Sequence, residues 1–452
     1  MMDDLIIDAA RRGVRYVDGL STRKPYPSSE AIERLNELDH PLQDESTDPF
    51  EVLEILDTLG SPATVASTAG RYFGFVIGGC LPIAKAANLL ATAWDQNAAL
   101  FITSPIGSFL EDVCRKWLLS LFGLPPESGV GFVSGATMAN FSGLASARHA
   151  VLRDAGWDVE SQGLFGAPPV TVIVGEEAHA SIFKALSMLG MGRERVVRVP
   201  ADDQGRMRVD LLPDITGPTI VCVGAGNVNT GAFDPIKEIC AAAKSNGAWV
   251  HVDGAFGLWA AGCPTRAHLV AGVKQADSWS VDAHKWLNVP HDSGMVIVRN
   301  PEHLRAAMSM SASYHIKTEE RDPWDWVPQV SRRARGIEIW AALRSLGRRG
   351  VADLVERSCK HATRFSEALA AAGYQVLNDV VLNQVLVSFG DKDTTNRVIS
   401  RIQEDGTCWC GGAVWKGQTV MRISVSCWAT TEEDVERSLN AIMRIAAEER
   451  KS

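Results

Sequence analysis

Positive charge is in deficit in this chain. Forty-five Lys and Arg stand against 54 Asp and Glu, a net of −9 over 452 residues. A nucleic-acid partner therefore has no electrostatic support. The acidic excess is spread along the chain rather than gathered in a tail. Cysteine is sparse, nine in all and irregularly spaced, which excludes a disulfide framework and fits the reduced thiols of a cytosol. Cys408-Trp409-Cys410 is a C-x-C pair with no second pair to complete a zinc site, so no metal is expected. No apolar run reaches the length of a bilayer span, and the longest is broken by Gly78, Gly79, Pro82 and Lys85. The start, Met1-Met2-Asp3-Asp4, is acidic where a signal peptide needs basic residues and then an apolar stretch. The expectation is a cytoplasmic protein with no membrane or nucleic-acid partner. Internal repeats and low-complexity tracts are also missing.

What is present is a globular composition, 46% hydrophobic and 22% charged, at a length that can hold more than one domain. Residues 1–70 show helical apolar spacing around Leu5 to Val14 and again from Phe50 to Leu59, with Pro25 and Pro27 between them. They lack a core of their own and are expected to pack on another surface. Residues 71–310 alternate short apolar runs with helical stretches. The strand candidates are Val130–Val133, Thr171–Val174, Arg195–Val199, Thr219–Val223, Trp249–Val252 and Met295–Val298. This alternation predicts an α/β domain with a mainly parallel sheet. Residues 311–452 read as a second, smaller α/β piece. It has helices over Gly336–Leu346 and Val351–Ala372, and strands at Gln375–Leu377, Gln384–Phe389 and Val420–Val425. A last helix is opened by Thr430-Thr431-Glu432-Glu433.

Ligands of parallel sheets sit at the C-terminal strand ends, and five chemically useful positions fall there: Ser134, His179, Gly224, Asp253 and Lys285. Lys285 offers an amine for a Schiff base. Asp253, in His251-Val252-Asp253-Gly254-Ala255-Phe256, offers a carboxylate in apolar company, where it is costly unless paired. A pyridinium N–H would pair it, and the two groups together are what pyridoxal phosphate requires of a protein. Ser134-Gly135-Ala136-Thr137 follows a strand and opens a helix, a place where small residues and the helix N-terminus favour a phosphate. His179 can stack on a ring. Taken singly, each has an ordinary reading: an exposed lysine, an N-capping aspartate, a capped helix start, a satisfied histidine.

Their fixed order carries a resemblance. Further marks are Ser104-Pro105 with Glu111, Ala178-His179-Ala180-Ser181, His284-Lys285-Trp286, Ser331-Arg332-Arg333 with Trp340, and Met421-Arg422-Ile423-Ser424. From Gly70 to the last helix the chain resembles the group II pyridoxal-phosphate-dependent amino acid decarboxylases, which include aromatic amino acid and glutamate decarboxylases, in the aspartate aminotransferase (fold type I) superfamily. The resemblance implies a seven-stranded sheet in the large domain. It also implies a homodimer, with the N-terminal segment on the partner and a mobile loop near residues 315–330. It further implies that Lys285 holds the cofactor, Asp253 pairs with its pyridine nitrogen, Ala255 packs beneath the ring and His179 stacks above it. Ala136, Thr137 and His284 hold the phosphate. The implied reaction is decarboxylation of an L-amino acid to its amine through an external aldimine and a quinonoid.

The chain departs from that pattern in four places. Pro323 falls where the family's loop carries a proton-donating tyrosine. The chain has only five tyrosines; the nearest, Tyr314, matches a different position, and His315, water or Lys285 are the other candidate donors. Without that tyrosine, an oxidative route to an aldehyde, ammonia and peroxide is the leading alternative. A carbon–carbon lyase, an aminotransferase using Arg422 to bind a carboxylate, and a cofactor-free family member are the others. Val76-Ile77-Gly78-Gly79 replaces bulkier aromatic residues, and Gly224-Ala225-Gly226-Asn227 replaces a threonine-containing turn. Both suggest room for a different or larger substrate. Asp282 stands where an uncharged residue is usual, and would repel phosphate unless paired.

Overall fold

Short, mostly buried runs rich in β-branched residues build the main sheet, because strands covered on both faces need apolar side chains on both. The computed structural model of the chain describes residues 2–310 and 320–451. The strands of this sheet are β1 (Gly129–Val133), β2 (Thr171–Gly175), β3 (Val197–Val199), β4 (Thr219–Gly224), β5 (Trp249–Asp253), β6 (Ser278–Asp282) and β7 (Gly294–Val298). Their order is β1-β7-β6-β5-β4-β2-β3. All neighbours are parallel except β7, which runs antiparallel to both β1 and β6. The fold is thus the expected α/β, fold type I arrangement with a mainly parallel seven-stranded sheet.

Strand alternation divides the core in two. Val221, Val223, Val250, Val252, Trp279 and Val281 face one cluster. Val172, Val174, Ile220, Cys222, Val296 and Val298 face the other, against helices Ala136–Asp154 and Ala180–Met188. β6 was not among the expected strands. Its sequence, Ser-Trp-Ser-Val-Asp, lacks an apolar run because its polar positions serve the site. β3 is shorter than expected and begins at Val197.

A second, antiparallel sheet has order β10-β11-β9-β8, from β8 (Gln375–Val376), β9 (Gln384–Ser388), β10 (Gly411–Trp415) and β11 (Gln418–Ser424). β10 was also unforeseen. It is joined to β11 through Lys416 and Gly417, both with positive φ (46° and 80°), the geometry of a two-residue hairpin turn.

Six helices matter to the site and its surroundings: α1 (Met2–Asp18), α2 (Pro105–Phe122), α3 (Ala136–Asp154), α4 (Ala180–Met188), α5 (Gly336–Ala371) and α6 (Glu432–Glu449). The two expected helices between 336 and 372 are both present, and they meet at a kink at Gly347, whose φ of 60° and ψ of −176° are not helical. α6 opens with a capping box between Thr431 and Asp434. Ser104 caps α2 by accepting the Gly107 amide at 3.2 Å. One helical turn later, Glu111 receives the Arg332 guanidinium at 2.6 Å, with both side chains buried. This pair ties residues 320–335 to α2. Asp322 accepts the Phe101 amide at 2.8 Å, and the Trp324 amide donates to the Ala99 carbonyl at 2.9 Å. Tyr314 and His315 lie outside the described residues. Among the described residues, no helix is long and apolar enough to cross a membrane.

Candidate active site

All seven residues expected to handle the cofactor line one cavity of about 630 Å³. It opens at the C-terminal ends of β2, β4, β5 and β6, where strand-end loops bring Ala136, Thr137, His179, Asp253, Ala255, His284 and Lys285 together. Phe75, Val76, Ile77 and Arg422 complete the wall.

Asp253 ends β5. Its Oδ2 accepts from Asn140 Nδ2 at 3.0 Å; its Oδ1 accepts from the Ala255 amide at 3.2 Å and Ser280 Oγ at 3.3 Å. Every donor is neutral, so the carboxylate reaches the cavity without a cation of its own. His179 caps α4. Its Nδ1 accepts the Ser181 amide at 3.2 Å and lies 2.8 Å from Ser181 Oγ, which places the ring proton on Nε2. Asn140 and Ser280 carried no signal of their own in the sequence, and Ser181 stood out only as part of Ala178-His179-Ala180-Ser181. Asn and Ser are too common to stand out, and only the α3–α4–β5–β6 packing brings them to one carboxylate.

At the other end of the cavity, Asp282 ends β6 and is buried. Its Oδ1 accepts the Ala136 amide at 2.6 Å, and Lys285 Nζ lies 2.9 Å from Oδ2. His284 Nε2 is 3.7 Å from Oδ1. The His284 Nδ1 accepts the Ser293 amide at 3.1 Å, so the proton of this ring also sits on Nε2. Burial pushes His284 below the ordinary imidazole range, against the pull of Asp282. The feared repulsion is thus answered by pairing: the carboxylate caps α3 and holds the lysine.

Two glycine readings need correction. A Cβ on Gly78 would come 1.6 Å from the Lys285 carbonyl oxygen, and one on Gly79 would come 2.5 Å from Cys427 Sγ. These glycines let the chain pass against Lys285 and Cys427; they do not enlarge the cavity. Gly226 has φ +99° and abuts the Gly257 backbone, so it too serves the chain path. Gly224 alone, with its nearest neighbour Asp234 Oδ2 at 3.6 Å, leaves space at the cavity wall.

Arg422 projects from β11. Its Nη1 donates to the Val228 carbonyl and to Asn229 Oδ1, each at 3.2 Å. Both acceptors are neutral, and burial pulls the guanidinium below its ordinary range. Residues 320–335, including Pro323, do not line the cavity.

The arrangement fits pyridoxal phosphate on structural grounds. Asp253 presents an acceptor to a ring N–H, and Lys285 presents an amine. At the start of α3, the Ala136 amide is taken by Asp282 and the Ala139 amide by Gly135. The Thr137 and Met138 amides have no acceptor among the described residues, and an anion is the usual partner for such a helix start.

Comparison with known proteins agrees. The chain is 26% identical to an aromatic-L-amino-acid decarboxylase of Bacillus atrophaeus over 95% of this chain and 92% of the relative. It is 26% identical to a phenylacetaldehyde synthase of a Rosa hybrid cultivar over 78% and 76%. The crystal structure of Oryza sativa TDC with PLP and tryptamine superposes with a TM-score of 0.90 at 21% identity, covering 99% of this chain and 98% of that one. The pyridoxal-dependent decarboxylase conserved domain matches residues 62–390, and the chain belongs to that family of pyridoxal-phosphate-dependent carboxy-lyases.

Proposed function

We propose that the chain decarboxylates an L-amino acid to its amine, with Lys285, Asp253 and His179 as the catalytic residues. The observation that carries this reading is the placement of Asp253 at the end of β5 and Lys285 just after the adjacent parallel strand β6, around one cavity. Bound pyridoxal phosphate supplies an electron-withdrawing pyridinium that accepts the electron pair left when CO₂ departs. Asp253, held by neutral donors, would accept the ring N–H and so favour a protonated ring nitrogen. Lys285 would hold the cofactor through its amine. His179, whose N–H points into the cavity, and Ala255 would pack against the ring. Ala136, Thr137 and His284 would hold the phosphate at the start of α3. Arg422 draws the substrate's negative charge toward the cavity. Orientation decides which bond breaks, so the Phe75–Ile77 wall, by fixing the substrate's torsion, selects the reaction.

A second reading has a specific observation behind it. The family resemblance puts Pro323 in the place of the loop tyrosine, and a phenylacetaldehyde synthase is among the relatives. Without that proton donor, O₂ and water would together convert the amino acid to an aldehyde, CO₂, ammonia and peroxide. A panel of L-amino acids incubated aerobically with the cofactor-loaded enzyme separates the two. CO₂ without peroxide is the expected result; CO₂ with peroxide and ammonia replaces it with the oxidative reaction, and no CO₂ from any substrate overturns both.

The working unit in this reading is a cytoplasmic homodimer. Ile6 and Val14 of α1, Phe109 of α2, and Leu56, Leu89 and Ile102 are all exposed, large apolar side chains in keeping with burial against a second copy. Light scattering is expected to give twice the chain mass.

A further inference from the structure

Behind Asp253 lies a chain of hydrogen bonds that the reaction described so far does not use. Trp249 Nε1 meets Ser278 Oγ at 2.9 Å. Ser278 Oγ meets His251 Nδ1 at 2.8 Å, and His251 Nε2 meets Asn140 Oδ1 at 2.9 Å. Asn140 Nδ2 meets both Asp253 Oδ2 and Ser181 Oγ at 3.0 Å. Ser181 Oγ then meets His179 Nδ1 at 2.8 Å.

The direction of every bond follows from the two ends. The Asp253 carboxylate only accepts, so the Asn140 amide turns Nδ2 to Asp253 and Ser181 and Oδ1 to His251. An amide oxygen only accepts, so His251 donates from Nε2, and its neutral ring accepts from Ser278 Oγ at Nδ1. Ser278 in turn accepts the Trp249 indole N–H, which can only donate. At the other end, His179 Nδ1 accepts the Ser181 backbone amide at 3.2 Å, so that nitrogen carries no proton and Ser181 Oγ donates to it. Burial holds His251 neutral, its pKa pushed down to about 4 despite Asp253 nearby. Gly143 of α3 makes the close approach possible, since a Cβ there would lie 2.7 Å from His251 Cε1.

We propose that Asn140 is a positioning residue that locks the Asp253 carboxylate and the His179 ring into one fixed register, as the hub of a one-way hydrogen-bond relay running from Trp249 to both. One amide group sets the rotation of the carboxylate that meets the cofactor's ring nitrogen and, through Ser181, that of the imidazole that covers the ring. The relay keeps Asp253 an acceptor only and keeps the His179 Nε2–H turned into the cavity. The inference rests on the proposed cofactor roles of Asp253 and His179, but the relay itself is a property of the protein without cofactor.

Two arms test it. Ring-nitrogen NMR of histidine-labelled protein, without and with pyridoxal phosphate, reads the relay directly. His179 and His251 are expected to be neutral with the proton on Nε2. In Asn140→Asp, a second carboxylate faces His251 Nε2, and His251 is expected to become protonated near neutral pH, a change that a merely space-filling asparagine would not cause. A His251 proton on Nδ1 in the wild type, or an unmoved His251 titration in Asn140→Asp, overturns the proposal.

The second arm is the dissociation constant of pyridoxal phosphate. Asn140→Leu, which keeps size but loses both donors, is expected to weaken binding at least about tenfold, the worth of one hydrogen bond to a charged group. Asn140→Ser is expected to recover part of the loss. Binding within about twofold of wild type in a folded Asn140→Leu overturns the proposal. If Asn140→Leu does not fold, Ser181→Ala replaces it. That variant cuts only the His179 branch and should weaken binding several-fold; unchanged affinity there is equally fatal. A wild-type protein that shows the relay by NMR yet binds no cofactor would instead overturn the proposed function.

Discussion

Asp253 and Asp282 end neighbouring strands and face the same cavity, yet the protein holds them in opposite ways. Asp253 is surrounded by neutral donors: Asn140, Ser280 and a backbone amide. Asp282 is held by an amine and a helix N-terminus, with an imidazole nearby. A carboxylate that lacks a protein cation leaves its charge available for a ligand. One already paired to Lys285 contributes instead to placing that lysine and closing the helix start. Residue type and strand position are the same in both cases, so the difference in role comes from the neighbours alone.

The comparison can be broken in stages. Lys285→Ala removes the amine from the Asp282 end and should abolish the visible absorbance of the bound cofactor, with turnover down at least ~10³-fold. A normal spectrum in that variant would sink the assignment. Asp253→Ala should leave some cofactor bound but lower turnover by about 10²- to 10³-fold, as for loss of one preorganised electrostatic group. Near-wild-type turnover would remove Asp253 from the mechanism.

Gly78→Ala sharpens the contrast, because its Cβ would collide with the Lys285 carbonyl. It should displace the lysine and weaken cofactor binding about tenfold or more, as misplacement by an ångström does. The His179 and His251 NMR signals at the Asp253 end should stay unchanged. If both ends move together, the two carboxylates do not act as separate units.

Asp282→Asn is the gentlest change. Its amide oxygen can still accept the Ala136 N–H, while the negative charge beside the phosphate seat is gone. Inorganic phosphate should bind several-fold tighter by calorimetry. Weaker binding would mean that the carboxylate helps to build the seat rather than opposing it.

Much of the architecture was legible from local pattern. The apolar runs at 130–133, 171–174, 219–223, 249–252 and 295–298 all lie in strands of the main sheet. Residues expected at the cavity do line it. β6 and β10 were not legible, because one alternates serine with apolar residues and the other begins Gly411-Gly412. Gly78 and Gly79 misled for a related reason. Whether a glycine opens a pocket or lets two backbones touch depends on what lies across from it, and for Gly78 that is Lys285, some 200 residues along the chain.

By itself, then, the sequence determined the α/β class, the residues that meet at the cavity and the family, because short-range periodicity and motif order survive without knowledge of contacts. Only the tertiary structure decided how those residues are held. It turned Asp282 from a suspected liability into the partner of Lys285, and it joined Asn140, Ser181, His251 and Ser278 into one directed relay. Hydrogen-bond direction depends on which donor faces which acceptor, and side chains brought together from α3, α4, β5 and β6 acquire those partners only when the sheet and helices pack.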